Sequence, residues 1–196
     1  MGFAFAPGIS EMPRDSPNSI TRLVSSKRIL VLGSSGSGKT SFTLQLSRIL
    51  QIDAIHLDAH FWKPGWLSTP QEEWREIVAA LIEKESWIMD GTYESTLPLR
   101  VSAADYLIVL EQSRWTCLWR VIKRKATLND LRRPDAPPGQ KLNLAFLRYV
   151  WRYPAVSRPL VLDSIRQYGP DKTLVQLRGS KDTQNFLSQV QQAVRP

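Results

Sequence analysis

"RILVLGSSGSGKTSF", residues 28–42, decides the reading of this chain. Its first six residues are an apolar run behind Arg28 that ends on Gly33, the pattern of a strand covered on both faces. Gly33 to Thr40 then satisfies G-x-x-x-x-G-K-[ST] in full. Gly33 and Gly38 permit backbone angles and close approach that a side chain would block. The amides of Ser34, Ser35, Gly36 and Ser37 then converge as an anion nest, reinforced by the positive end of the helix that follows. Lys39 adds a point charge for the β and γ phosphates, the Thr40 hydroxyl is a ligand for Mg²⁺, and Ser41 completes the cradle. The stretch predicts a site for a nucleoside triphosphate carried with Mg²⁺.

Outward from that loop, strand and helix signals alternate. Residues 39–51 hold Phe42, Leu44, Leu46, Ile49 and Leu50 at roughly helical spacing, and "DAIHLD" (53–58) reads as a second strand. A helix is predicted over 68–85, with Ser68 or Thr69 as N-cap, Pro70 in its first turn and Glu72 and Glu73 near its positive end. "SWIMDG" (86–91), "ADYLIVLE" (104–111) and "TLVQLRG" (173–179) read as three more strands. Further helices are expected over 114–125, with Trp115, Leu118, Trp119 and Ile122 on its apolar side, over 143–154, around 156–168, and from Ser180 to the end. Five strands alternating with helices predict a three-layer α/β/α domain around a parallel sheet. Residues 1–26, rich in Pro, Gly and Ser, read as a flexible lead-in to a domain over 27–196.

Composition narrows the classes. One cysteine, Cys117, leaves no intrachain disulfide and no thiolate metal cluster, so a reducing cytoplasm is the expectation. No apolar run approaches the ~18 residues of a membrane span, and "MGFAFAPGIS" lacks the basic start of a secretory leader. The net charge of +8 is uneven: residues 1–113 sum to −3 and residues 114–178 to +10. A field of that sign attracts phosphates, on a nucleotide or along a nucleic acid. The guanine-reading N/T-K-x-D motif and the hhhhDE of large motor ATPases do not occur.

"WIMDG", then "ADYLIVLE" and "WRVIKRK", resemble the adenylate-kinase branch of P-loop kinases. More closely, "HLDAHFWKPGW", "WIMDGTY", "RRPD" and "FLRYVWRYP" resemble a small bacterial group labelled topology modulation or adenylate-kinase-related proteins, over about residues 27–178. The resemblance implies that Arg120 and Arg124 flank the adenine and phosphates, and that Arg132 and Arg133 belong to an arginine-rich lid within a helical insertion at about 125–168. It departs from the adenylate kinases after Gly91, where Thr92-Tyr93 follows.

Two carboxylates are expected at strand tips in the ligand crevice: Asp90 as a Mg²⁺ acceptor or a turn residue, and Asp58 to orient or deprotonate the acceptor, or to close a turn. Trp62 and Trp66 bracket "KPG" and either stack on the acceptor or fill core; Arg100 is the candidate to hold an acceptor phosphate. His56 reads as a buried, satisfied histidine, and His60 as a possible pocket residue. The leading expectation is a kinase that moves the ATP γ-phosphoryl to a nucleotide or other small acceptor. A shikimate- or gluconate-type metabolite kinase shares the same ATP site. An ATP-switched nucleic-acid binder is the alternative, motivated by Trp115, Trp119, Tyr149, Trp151 and Tyr153 in the basic segment, though their helical spacing points to core packing.

Overall fold

The computed structural model describes residues 17–127 and 142–195. Its main sheet has five strands, β1 (Arg28–Gly33), β2 (Ala54–His56), β5 (Trp87–Asp90), β6 (Tyr106–Glu111) and β7 (Thr173–Arg178), in the order β2-β5-β1-β6-β7. Every pairing is parallel, in register Leu30↔Met89, Leu30↔Leu107 and Leu107↔Leu174 across the centre. Parallel strands need crossovers, and helices supply them: α2 (Lys39–Leu50), α4 (Gln71–Ile82), α5 (Leu97–Ala103), α6 (Arg114–Ala126), α7 (Leu144–Arg152) and α8 (Ser157–Tyr168), with α9 (Gly179–Val194) last. The expected three-layer architecture is the observed one.

Alternation along β1 divides the core. Leu30 and Leu32 join Trp74, Trp87, Val101, Val161 and Ile165 under α4, α5 and α8. Ile29 and Val31 face the other way, onto Phe42, Leu46, Phe186 and Val190 of α2 and α9. A small third cluster, Cys117, Val121 and Val150 with Phe146 and Leu147 against it, joins α6 to α7.

Four expectations are corrected. The sequence predicts a flexible lead-in through residue 26, but Pro17–Ser25 forms a helix, α1, with Ile20 and Leu23 buried in the second core and Arg22 donating to Thr173 at 3.2 Å. Its apolar residues Ile20, Leu23 and Val24 stand at i, i+3 and i+4, but one such turn is a weak signal, and packing on the second core fixes the helix. Strand β2 stops at His56, opposite Asp90, and the chain enters the short helix α3 (Leu57–Phe61). Asp58 therefore lies on a helix beyond the strand tip. Helix α4 starts at Gln71 without a side-chain cap, because the Thr69 hydroxyl donates to the Phe61 carbonyl at 2.7 Å. Finally, most of the expected apolar side of α6 is turned out: Trp115, Trp119 and Ile122 are exposed, the tryptophans by 70% and 63%, while Leu118 packs with the inward Cys117 and Val121. Between α3 and α4 runs a small antiparallel hairpin, β3 (Trp62–Lys63) and β4 (Leu67–Ser68), which turns at the "KPG" that Trp62 and Trp66 bracket.

Candidate functional site

Strand β1 ends on Gly33, and the loop from Ser34 to Gly38 turns back on itself, the Ser37 amide donating to the Ser34 carbonyl at 3.1 Å. Gly36 has φ +82°, and a Cβ there would sit 2.4 Å from the Cys117 carbonyl oxygen of α6. Only glycine fits that position. Gly38, at φ +100°, precedes Lys39 as the left-handed residue from which α2 starts. The first amides of α2 thus face the loop's hollow without a side-chain cap, the arrangement that receives an anion. Lys39 Nζ donates to the carbonyls of Gly33 and Ser34, at 2.8 and 2.9 Å, and so arches over the loop. Thr92 of the neighbouring strand end donates to Gly33 O at 2.9 Å.

A cleft of about 760 Å³ opens over this loop, a size that suits a nucleotide and a small partner. Gly33, Ser35, Gly36, Gly38, Lys39, Thr40 and Ser41 line one side. Ser34 and Ser37 are buried beneath it. Arg120 and Arg124, one turn apart on α6, line the same side. Arg120 clamps the loop from outside, giving Nη1 to the carbonyls of Gly36 and Ser37 at 3.3 Å each and Nη2 to Ser180 at 2.8 Å. Arg132 and Arg133 lie outside the described residues.

The opposite side comes from the chain beyond β2 and β5. Asp90 and His56, register partners, meet at 2.7 Å between Oδ2 and Nδ1, both buried. Asp58, on α3, accepts a hydrogen bond of 2.6 Å from the Tyr93 hydroxyl. Burial first, and the Asp58 carboxylate second, push that hydroxyl far above the ordinary tyrosine range, so it stays a donor. Trp62 and Trp66 lie 5.2 Å apart at 47° in the hairpin and line the cleft with Tyr93, Phe146 and Tyr149.

Two candidates do not reach the cleft. Arg100 is fully buried under the β5 tip, with Nη1 donating to Gly91 O at 2.7 Å and Nη2 to the carbonyls of Thr92 and Tyr93. Burial pulls its pKa down, but the guanidinium stays charged at neutral pH. Its role in the fold is to pin the Gly91–Tyr93 turn. His60 is exposed and outside the cleft. Conversely, Tyr93, Glu94 and Phe146 line the cleft without having been singled out. The signal for Tyr93 was its place two residues beyond Asp-Gly; Glu94 and Phe146 had none.

The residues present fit a magnesium nucleotide better than a free ion. Thr40 and Asp90 are oxygen donors on the same cleft, while no cluster of three His, Cys, Asp or Glu able to hold a metal occurs among the described residues. Mg²⁺ bound through phosphates, keeping several waters, needs only one or two protein oxygens.

No family model and no curated protein matches this chain. Solved structures do. Shikimate kinase from Acinetobacter baumannii, in complex with shikimate, superposes with a TM-score of 0.54 at 13% identity, over 89% of this chain and 96% of that one. A gluconokinase from Sinorhizobium meliloti gives 0.50 at 14% identity, over 86% and 95%. With its parallel sheet order and its glycine-rich loop between β1 and α2, this chain has the three-layer α/β/α fold of the P-loop kinases.

Proposed function

We propose that this protein is a phosphotransferase that moves the γ-phosphoryl of Mg-ATP to a small acceptor. One observation carries the reading: the loop bearing Lys39 and Thr40 and the carboxylates of Asp58 and Asp90 open into a single cleft. In this scheme an acceptor oxygen attacks the γ-phosphorus, the bond from that phosphorus to the β–γ bridging oxygen breaks, and ADP leaves. Asp58 takes the acceptor proton and Tyr93 orients its carboxylate. Lys39, Arg120 and Arg124, with Arg132 and Arg133 as lid candidates, neutralise charge on the moving group. Thr40 and Asp90 would hold Mg²⁺ there, and the ion would supply charge neutralisation for the phosphates. Such chemistry is mostly positioning and charge, which a preformed cleft supplies. The resemblance of "WIMDG" and "FLRYVWRYP" to the adenylate-kinase-like topology modulation proteins supports a place in that branch of kinases.

The test is calorimetry of Mg-ATP binding to wild type and Lys39→Met. Losing a charged donor costs about 1.5–3 kcal/mol, or roughly a ten- to hundredfold loss of affinity. Equal affinity in the two proteins overturns the scheme.

A second reading, an ATP-regulated nucleic-acid binder, is favoured by Trp115 and Trp119, exposed on a helix whose five charged residues are all basic. Bases stack on such rings while the cations meet phosphates. Single-stranded DNA titrated across salt decides it: binding must fall log-linearly with salt and weaken in Trp119→Ser.

A further inference from the structure

The cleft is electrically divided. Its lining cations among the described residues, Lys39, Arg120 and Arg124, stand on the glycine-rich loop and on α6, the half that meets the triphosphate. The half beyond β2 and β5 is lined by the carboxylates of Asp58 and Glu94 and by the rings of Trp62, Trp66 and Tyr93, and Tyr149 of α7 lines the cleft as well. Arg100, the cation nearest the Gly91–Tyr93 turn, gives both Nη groups to backbone carbonyls and is closed off from the cleft. It offsets Glu94 from beneath and offers no donor to a ligand. Lys63, in the hairpin, is paired with Glu73 at 2.9 Å and does not line the cleft. The Tyr149 hydroxyl feels both carboxylates: after burial, Glu94 and then Asp58 raise its pKa, with Tyr153 adding to them.

A phosphate or carboxylate on the acceptor would meet two like charges across a low-dielectric wall of aromatic rings. A flat ring, or a cationic amine, would meet faces that attract it, and its hydroxyl groups would meet oxygen acceptors. From this juxtaposition we infer that the acceptor is a hydroxyl compound carrying no anionic group, seated by a flat or cationic part between the tryptophans and Tyr149. This rests on the phosphotransferase reading and sharpens it. The acceptor's hydroxyl oxygen forms the new bond to the γ-phosphorus, its proton passes to Asp58, and ADP leaves with the electrons of the broken bond. Thr92-Tyr93, at the point where the chain departs from adenylate kinases, belongs to the same wall.

The experiment compares ligand pairs that differ in charge, by calorimetry on full-length protein saturated with a non-hydrolysable Mg-ATP analogue. The pairs are adenosine with AMP, cytidine with CMP, and glucosamine with gluconate; which pair responds separates a flat ring from an amine. In at least one pair the anion-free member should bind tenfold or more tightly than its partner. Glu94→Lys should narrow or reverse that preference. An anionic member binding equally or better, a preference untouched by Glu94→Lys, or no binding by any member overturns the inference. Absence of heat with the analogue itself is a different result, and removes the kinase reading instead.

Discussion

Arg100 shows how one residue's meaning depends on its burial. In the sequence it is a cation placed after Asp-Gly-Thr-Tyr, well situated to grip a phosphate. In the fold three carbonyls, of Gly91, Thr92 and Tyr93, surround it instead. Arg100→Met should therefore destabilise the protein by about 3 kcal/mol, since buried acceptors lose charged donors, and urea denaturation reads the loss. Unchanged stability together with weaker acceptor binding would return Arg100 to the ligand. Asp58 moved in the opposite sense, from an expected strand tip to α3, yet it still lines the cleft because Leu57, buried beside Gly91, anchors the turn. A Cβ on Gly91 would lie 2.9 Å from that of Leu57, so this close approach is available only to glycine.

Helix α6 carries the lesson at the scale of elements. Its four most apolar positions mark one side, and periodicity alone assigns that side to the core. The glycine-rich loop reverses the assignment: Cys117 is the residue whose backbone touches Gly36, and Arg120 must face the same loop. With those fixed, Trp115 and Trp119 turn outward. Val121→Ala should cost about 1–2 kcal/mol through the cavity between α6 and α7, while Trp119→Ser should change stability by less than about 0.5 kcal/mol. Thermal melts of the two variants check this, and the opposite ranking would mean that α6 is rotated. Helix α1 is the complementary case: Ile20, Leu23 and Val24 stand at i, i+3 and i+4, one turn of apolar spacing that the Pro- and Ser-rich residues before it obscure. The long helices and the central strands carried enough repeats to be legible, within a few residues at their ends.

For the whole molecule, the sheet brings together parts that lie far apart along the chain. Strand β1 sits between β5 and β6, so the loop after it opens beside Asp90 on one flank and α6 on the other. A ligand held there ties the two flanks to the centre. Mg-ATP at a hundred times its dissociation constant should stabilise the fold by about 2.7 kcal/mol. Thermal denaturation should thus move to higher temperature with Mg-ATP and move back most of the way when EDTA removes the metal. No shift with saturating Mg-ATP would contradict the assigned site.

The glycine-rich loop between β1 and α2 and the alternating parallel architecture were determined by the amino-acid sequence alone, because both depend on local properties: glycine's backbone freedom, a lysine next to a helix start, and apolar runs of a given period. The tertiary structure alone decided which cations face the cleft, which side of α6 is buried, and that Asp58, Glu94 and five aromatic rings line one cleft. Those outcomes depend on which distant segments meet, and no local pattern encodes a neighbour supplied by another strand.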